Sequence, residues 1–289
     1  MILAQQIISG LATGSLYALA ALGLVLIFKT SDVVNFAQGE MAMFGTFFAF
    51  TLLTTAGLPY WGAFILALVF AALFGAAIER VVLRPLSKAP LISVLIATLG
   101  LFQIINGVAG WIWGYELQPF PAAVSGAPIA FAGIIFTLQN LLNMGVALLV
   151  MLGFFLLFKY SILGIAMRAV AENRVAAKLM GVPTDRVLAI TWGLGGVLAA
   201  TAGILTAPVT NLDINMMASL QIKAFTAAVL GGFTSLPGAV IGGLTLGVLE
   251  NLVGQVNSQL QTPFAFGLIV LVLVVRPGGL LGTIQRKKV

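Results

Sequence analysis

The sequence predicts an all-α fold, a polytopic membrane helical bundle of about eight spanning helices plus a short partial span, and three observations predict it. Of the 289 residues, 61% are hydrophobic and only 8% are charged, whereas a soluble globular domain carries about a quarter charged residues. A water-soluble fold has no room to hide that much apolar surface; lipid tolerates it. The apolar residues also fall in long runs, most of them near the ~20 residues a helix needs to cross the hydrocarbon core. Finally, the basic residues cluster in alternate connections, as the orientation of membrane helices requires.

The first run, 3–28, lies in a 28-residue stretch without a charged side chain. It has no basic leader and is too long for the apolar part of a cleaved signal, so it reads as the first span. The second run, 35–56, opens on Asn35, Gln38, Gly39 and Glu40, and the third covers 60–83. A fourth, 91–114, carries Thr98, Gln103 and Asn106, the last two being three residues apart and so on one helix face. The fifth and sixth occupy 138–159 and 187–209. The segment 219–233 is too short to cross and predicts a partial span, while 236–256, with Glu250 and Asn251, and 262–282 complete the set. Gly10-x-x-x-Gly14 and Gly238-x-x-x-Gly242 put small faces on two of these helices, where backbones can approach closely.

Thirteen of the 14 Lys and Arg lie at the same side of the predicted spans: Lys29, then Arg80, Arg84 and Lys88, then Lys159, Arg168, Arg174, Lys178 and Arg186, then Arg276, Arg286, Lys287 and Lys288. The opposite connections, near 57–60, 114–137, 209–218 and 255–262, hold none. The positive-inside rule therefore places these basic loops in the cytoplasm and the N-terminus outside. Lys223 is the exception, and the alternation requires 219–233 to return the chain to the inner side. The outer loop 115–137, with Pro119, Pro121 and Pro128 and a lone Glu116, predicts a structured cap. The net charge of +6 is accounted for by this asymmetry, with no nucleic-acid partner implied.

The chain has no cysteine and no histidine. Disulfides, thiolate nucleophiles, histidine-ligated haem and most zinc sites are excluded at once. A membrane serine protease would lack its base and a metalloprotease its His-Glu-x-x-His. Nor is there a G-x-x-x-x-G-K-[ST] phosphate loop, so the chain binds no ATP by that route. An aquaporin-like pore wants two Asn-Pro-Ala half-helix starts, and only Asn35-Phe36-Ala37 approaches one.

The inner loop, 160–186, differs from everything around it. Residues 164–181 are rich in alanine, contain no proline and end in Gly181 followed by Pro183, a helix stop signal. Met167, Val170, Ala171 and Leu179 recur at near-helical spacing, with Arg168, Glu172 and Lys178 on other faces. Such an amphipathic helix either lies on the inner lipid surface or inserts into a groove on a cytoplasmic partner.

This loop resembles the ATPase-coupling loop of ABC importer permeases, in which small alanines stand beside a glutamate with a glycine some nine residues on; Ala169, Glu172, Asn173 and Gly181 occupy those places. Further stretches resemble the branched-chain amino acid permease family, and within it the smaller of the two permeases. They are residues 14–19 (GSLYAL), 35–40 (NFAQGE), 78–80 (IER) with Arg84-Pro85, 223–232 (KAFTAAVLGG) and 236–239 (LPGA). The resemblance covers nearly the whole chain, apart from loop 115–137. It implies a single permease domain, 1–289, with a coupling loop at 160–186 whose contacts involve Gly164, Arg168, Ala169, Glu172, Asn173, Ala176, Leu179 and Gly181. It also implies a homologous second permease, two cytoplasmic ATPases that bind the ATP and Mg, and a periplasmic or surface-tethered solute-binding protein. This chain would hold no cofactor of its own. The location implied is the cytoplasmic (inner) membrane of a bacterium or archaeon, surrounded by lipid.

Ionisable groups inside a membrane are costly and usually functional. Asn35, Gln38, Gly39, Glu40, Gln103, Asn106, Glu250 and Asn251 are therefore the candidates for the translocation pathway, with hydrogen bonding between helices as the plainer reading of each. A stand-alone secondary transporter or channel is the rival function, since midplane carboxylates suit it too. The inner loop is the feature that separates the two.

Overall fold

The computed structural model describes residues 2–124, 126–131 and 134–282. Arg286, Lys287 and Lys288 lie outside the described residues. Among the described residues eleven α-helices follow in order: α1 (Ile2–Ser31), α2 (Gln38–Thr54), α3 (Tyr60–Ile78), α4 (Leu91–Trp113), α5 (Leu138–Tyr160), α6 (Ile162–Glu172), α7 (Arg174–Leu179), α8 (Thr184–Thr210), α9 (Ala218–Gly231), α10 (Leu236–Val256) and α11 (Gln261–Val275). A π-helical turn, Glu79–Leu83, extends α3, and a 3-10 turn, Ser258–Leu260, precedes α11. The outer loop adds one antiparallel hairpin, β1 (Ile129–Phe131) with β2 (Ile134–Phe136).

Among the described residues seven helical segments are long and apolar enough to cross a membrane, and the 14-residue α9 is a shorter apolar helix. The eighth expected span, α2, has 17 helical residues, a length of about 26 Å that falls just short of the hydrocarbon thickness. Its helix starts at Gln38 because Asn35 turns the chain, its Oδ1 accepting from the Ala37 N–H at 3.0 Å.

The chain forms two compact units, one of residues 26–121 and 149–218, the other of 1–25, 122–148 and 219–289. In the first, α8 is the centre, with eighteen of its residues buried. Three close approaches put it against α2 and α3. A Cβ at Gly75 of α3 would strike the Trp192 carbonyl, one at Gly196 the Ala71 carbonyl, and one at Gly45 of α2 would stand 2.9 Å from the Ala200 Cβ. Small residues allow this contact where no hydrophobic drive exists between helices in lipid. Phe44, Phe70, Phe74 and Trp113 fill the space beside the seam, with Phe44 5.1 Å from Phe74 and 5.3 Å from Trp113.

The pairing also fixes depth. Gln38 lies beside Gly195, Gly45 beside Ala200 and Gly203 beside Thr46, so α2 and α8 run parallel. Gly195 is eleven residues into α8, about 16 Å along its axis. The helix of α2 therefore begins well inside the membrane, and residues 32–37 reach it as non-helical backbone beside α8. Backbone of this kind is tolerated at depth only where protein or a water-filled cavity meets its polar groups.

In the second unit α1, α9 and α10 share an equally close seam. Gly10 and Gly14 of α1 meet Val248 and Gly243 of α10, and Gly238 and Gly242 of α10 meet Gly231 and Ala227 of α9. Both sequence-predicted small faces are thus used. These contacts make α10 antiparallel to α1 and to α9, which gives α9 the inward direction that the charge alternation needs. The turn after α11 seals the α9–α10 corner, with Leu280 N–H donating to Leu230 O at 2.8 Å and Leu281 N–H to Gly231 O at 3.0 Å.

Candidate functional site

Three places gather the chemistry. The first is the start of α2. Asn35 Nδ2 donates to Gln38 Oε1 at 3.0 Å, and Gln38 Nε2 donates to Gly195 O at 2.9 Å. Asn106 of α4 donates one amide to Glu40 Oε2 at 3.2 Å and to Ile214 O at 3.0 Å. Asn35, Gln38, Gly39 and Glu40 are all buried. Glu40 sits in the first turn of α2, where the unpaired N–H groups of a helix favour a negative charge. Gln103 does not join this group, although the sequence put it on one face with Asn106. It is exposed, while Asn106 is half-buried; 60° separates residues three apart on a helix, and the edge of the packed face falls between them. Thr98 is buried and turns its hydroxyl to Leu95 O at 2.8 Å.

The second place is α10. Glu250 Oε1 stands 2.5 Å from Lys223 Nζ of α9, and the same ammonium donates to the Tyr17 hydroxyl of α1 at 3.1 Å. Asn251 donates to Thr13 Oγ1 at 2.9 Å and to Gly247 O at 3.0 Å. Sequence reasoning singled out both Lys223 and Glu250 but did not pair them. Their 27-residue separation has no local signature; the signal available was that each was the lone charge of its sign in neighbouring apolar runs.

The third place is the inner loop, which departs from expectation in one respect: the single helix 164–181 is two. Asn173 has extended backbone (φ −157°, ψ 104°) and its side chain accepts from the Ala176 N–H at 2.9 Å, capping α7. The asparagine was a visible N-cap signal inside an alanine-rich run. Upstream, Ser161 caps α6 by accepting from Gly164 N–H at 2.9 Å. Gly164 lets α6 fold against the end of α5, since a Cβ there would stand 2.5 Å from Leu157 O. Arg168 turns back and donates to Phe158 O and, at 3.4 Å, to Lys159 O. It thereby satisfies carbonyls that the end of α5 leaves open and fixes α6 to α5, which removes it from the loop's outer face. Gly181 ends α7 at φ +84°, a left-handed conformation that suits glycine.

What remains outward is α7. Met167, Val170 and Ala177 are buried, whereas Glu172, Asn173 and Ala176 are exposed and Ala169 is half-buried. Val175, Leu179 and Met180 are 71%, 83% and 84% exposed, an apolar ridge flanked by Arg174 and Lys178. Arg174 reaches back to Asp185 Oδ1 at 3.4 Å at the start of α8. There Arg84 pairs with Glu79 at 2.9 Å and donates to Asp185 O at 3.0 Å; the hydrogen bond to Glu79 raises the Arg84 pKa. Among the described residues no group of three or more Cys, Asp or Glu side chains is placed to hold a metal ion.

The family model described as branched-chain amino acid transport system, permease component, matches residues 6–275. The chain belongs to that family. It is 36% identical over 302 residues to the high-affinity branched-chain amino acid transport system permease protein LivH of Salmonella typhimurium, covering 99% of this chain and 97% of the relative. It is 36% identical over 301 residues, with the same coverage, to the corresponding permease protein BraD of Pseudomonas aeruginosa. Among solved structures it is similar in fold to PsaBC from Streptococcus pneumoniae in complex with Fab, with a TM-score of 0.51 over 93% of this chain and 91% of that one at 14% identity. As a member of the branched-chain permease family, the chain is a multi-pass membrane protein of the permease-component type, and the helical bundle described above is its fold.

Proposed function

We propose that this chain is the transmembrane permease subunit of an ATP-driven importer and forms half of the pathway for branched-chain or related amino acids. The whole chain, 1–289, acts as one permease domain, with 160–186 as its coupling loop. A homologous second permease completes the pathway. Two cytoplasmic ATPases carry the ATP and Mg, and an extracytoplasmic binding protein delivers the solute across the inner membrane of a bacterium or archaeon.

The observation that carries this reading is the two-part inner loop. The exposed ridge of Val175, Leu179 and Met180 suits an apolar groove on a cytoplasmic partner, as amphipathic helices dock elsewhere. The rest of the loop is built to transmit motion. Ser161, Gly164 and Arg168 tie α6 to the end of α5, and Asn173 sets the angle at which α7 leaves it. A push on α7 then reaches α5 and α8 through short, hydrogen-bonded connections. Such coupling requires contacts whose energy differs between two states. Glu172, Asn173, Ala176, Leu179 and Gly181 sit at the moving surface; Gly164, Arg168 and Ala169 form the mounting.

The polar network at Asn35, Gln38, Gly39, Glu40 and Asn106 and the pair at Glu250, with Asn251 beside it, are the pathway candidates within this reading, together with Gln103, which is exposed on α4. Purification in mild detergent from the native membrane tests the assignment. Two ATPases and a second permease should accompany the chain, and Leu179→Glu should release the ATPases while leaving the chain folded. Solute movement by the purified chain alone, with no nucleotide-driven companion, would overturn it.

A further inference from the structure

A cavity of about 210 Å³ opens at the basic, cytoplasmic end of the unit formed by residues 26–121 and 149–218. That is roughly fifteen times the space one water needs and below the range of drug-sized pockets, which suits a single small solute. Its walls come from the end of α1, the π-helical turn after α3, the connection to α4, the first residue of α7 and the start of α8.

Three kinds of group line it. Leu83, Leu91, Val94, Leu188 and Trp192 give an apolar wall. Arg84 and Arg174 supply cations, and the Arg84 Nε is buried with no acceptor among the described residues. An unanswered buried N–H is costly, so this atom calls for an anion or carbonyl. Glu79 and Asp32 supply carboxylates, and Asp32 is held at φ 56°, a conformation seldom adopted by residues other than glycine. A guanidinium and a carboxylate side by side, next to an apolar wall, are complementary to a free α-amino acid with an apolar side chain, whose two charges share one carbon. Such a molecule would meet Arg84 Nε and Arg174 with its carboxylate, Asp32 and Glu79 with its ammonium, and Val94, Leu188 and Trp192 with its side chain.

We propose that this cavity is a cytoplasm-facing binding site for a free apolar α-amino acid, the product side of the transport cycle. The identity of the ligand rests on the branched-chain reading above; the site itself rests on the lining. Arg174 opens α7 and also contacts Asp185, so a carboxylate in the cavity competes for a residue of the coupling loop.

The test uses the complete importer in lipid nanodiscs, without its binding protein, and measures equilibrium binding of radiolabelled L-leucine. Saturable binding is expected, weakened about tenfold or more by Arg84→Gln, which removes a charged hydrogen bond, and abolished by Ser87→Trp, which fills the exposed mouth. Leucinamide and isocaproate, each lacking one charged group, should compete at least about tenfold less well than L-isoleucine. Arg174→Gln repeats the first measurement should loss of the Arg84–Glu79 pair unfold the chain. No saturable binding, binding indifferent to Ser87→Trp, or equal competition by leucinamide overturns the proposal. Uptake of leucine by the importer with its binding protein separates the two readings: uptake without this binding defeats the cavity alone, and binding without uptake defeats the substrate assignment alone.

Discussion

Glu40 and Glu250 are both carboxylates almost wholly shielded from solvent in helices of a membrane protein, and the two regions settle them differently. Glu250 is answered by a full opposite charge, Lys223, brought in on a 14-residue helix and steadied by Tyr17. Glu40 is answered by an amide from Asn106 and by its place in the first turn of α2. The difference teaches that a charge pair and a helix start do unequal work. The pair holds helices together but leaves a large penalty if one member is lost. The helix start spreads the same burden over fixed N–H groups that no single substitution removes.

The largest expected effect breaks the pair. Glu250→Gln leaves the Lys223 ammonium without its anion and should cost about 3–5 kcal/mol, read as a fall in the thermal unfolding midpoint of the purified permease. The double variant Lys223→Met with Glu250→Gln should recover most of that loss; equal damage from single and double variants would show that the charges are not the connection. A middle-sized effect asks whether the regions differ in anything besides their acids. Gly75→Val in one seam and Gly247→Val in the other both drive a side chain into a neighbouring backbone, and each should cost about 1–3 kcal/mol. Gly145→Ala on α5, where nothing lies within reach of an added Cβ, should change stability by less than about 1 kcal/mol. An equally small effect on stability belongs to Glu40→Gln, which keeps an acceptor for Asn106. It should shift the midpoint by under about 1 kcal/mol in stability, so a larger loss of uptake would mark the charge itself as part of the pathway.

Much of this bundle was legible in the chain. Long apolar runs and one-sided Lys and Arg report directly on the cost of exposing side chains to lipid or of carrying charge across it, and the helices fall close to the predicted segments. Backbone breaks are another matter. Hydropathy carried the second span back to residue 35, but Asn35 bonds to its own downstream N–H and delays the helix to Gln38. The inner loop likewise read as one helix because alanine favours helix on either side of Asn173, while a capping bond decides the matter locally. Gln103 and Asn106 share a helix face, but only packing determines where the buried half of that face ends. The Lys223–Glu250 pair depends on three helices meeting, and no window along the chain contains that information.

The non-helical stretch at 32–37 has a mechanical consequence. A continuous helix resists bending because each turn is cross-braced by its own hydrogen bonds, whereas here the brace is interrupted alongside α8. Rotation of α2 about this point would strain a few side-chain amide contacts, chiefly those of Asn35 and Gln38, and leave the ladder above untouched. Amide hydrogens of residues 33–35 should accordingly exchange with deuterium well before those of α2 or α8, which would make this short unbraced length the joint about which the inner half of the span turns.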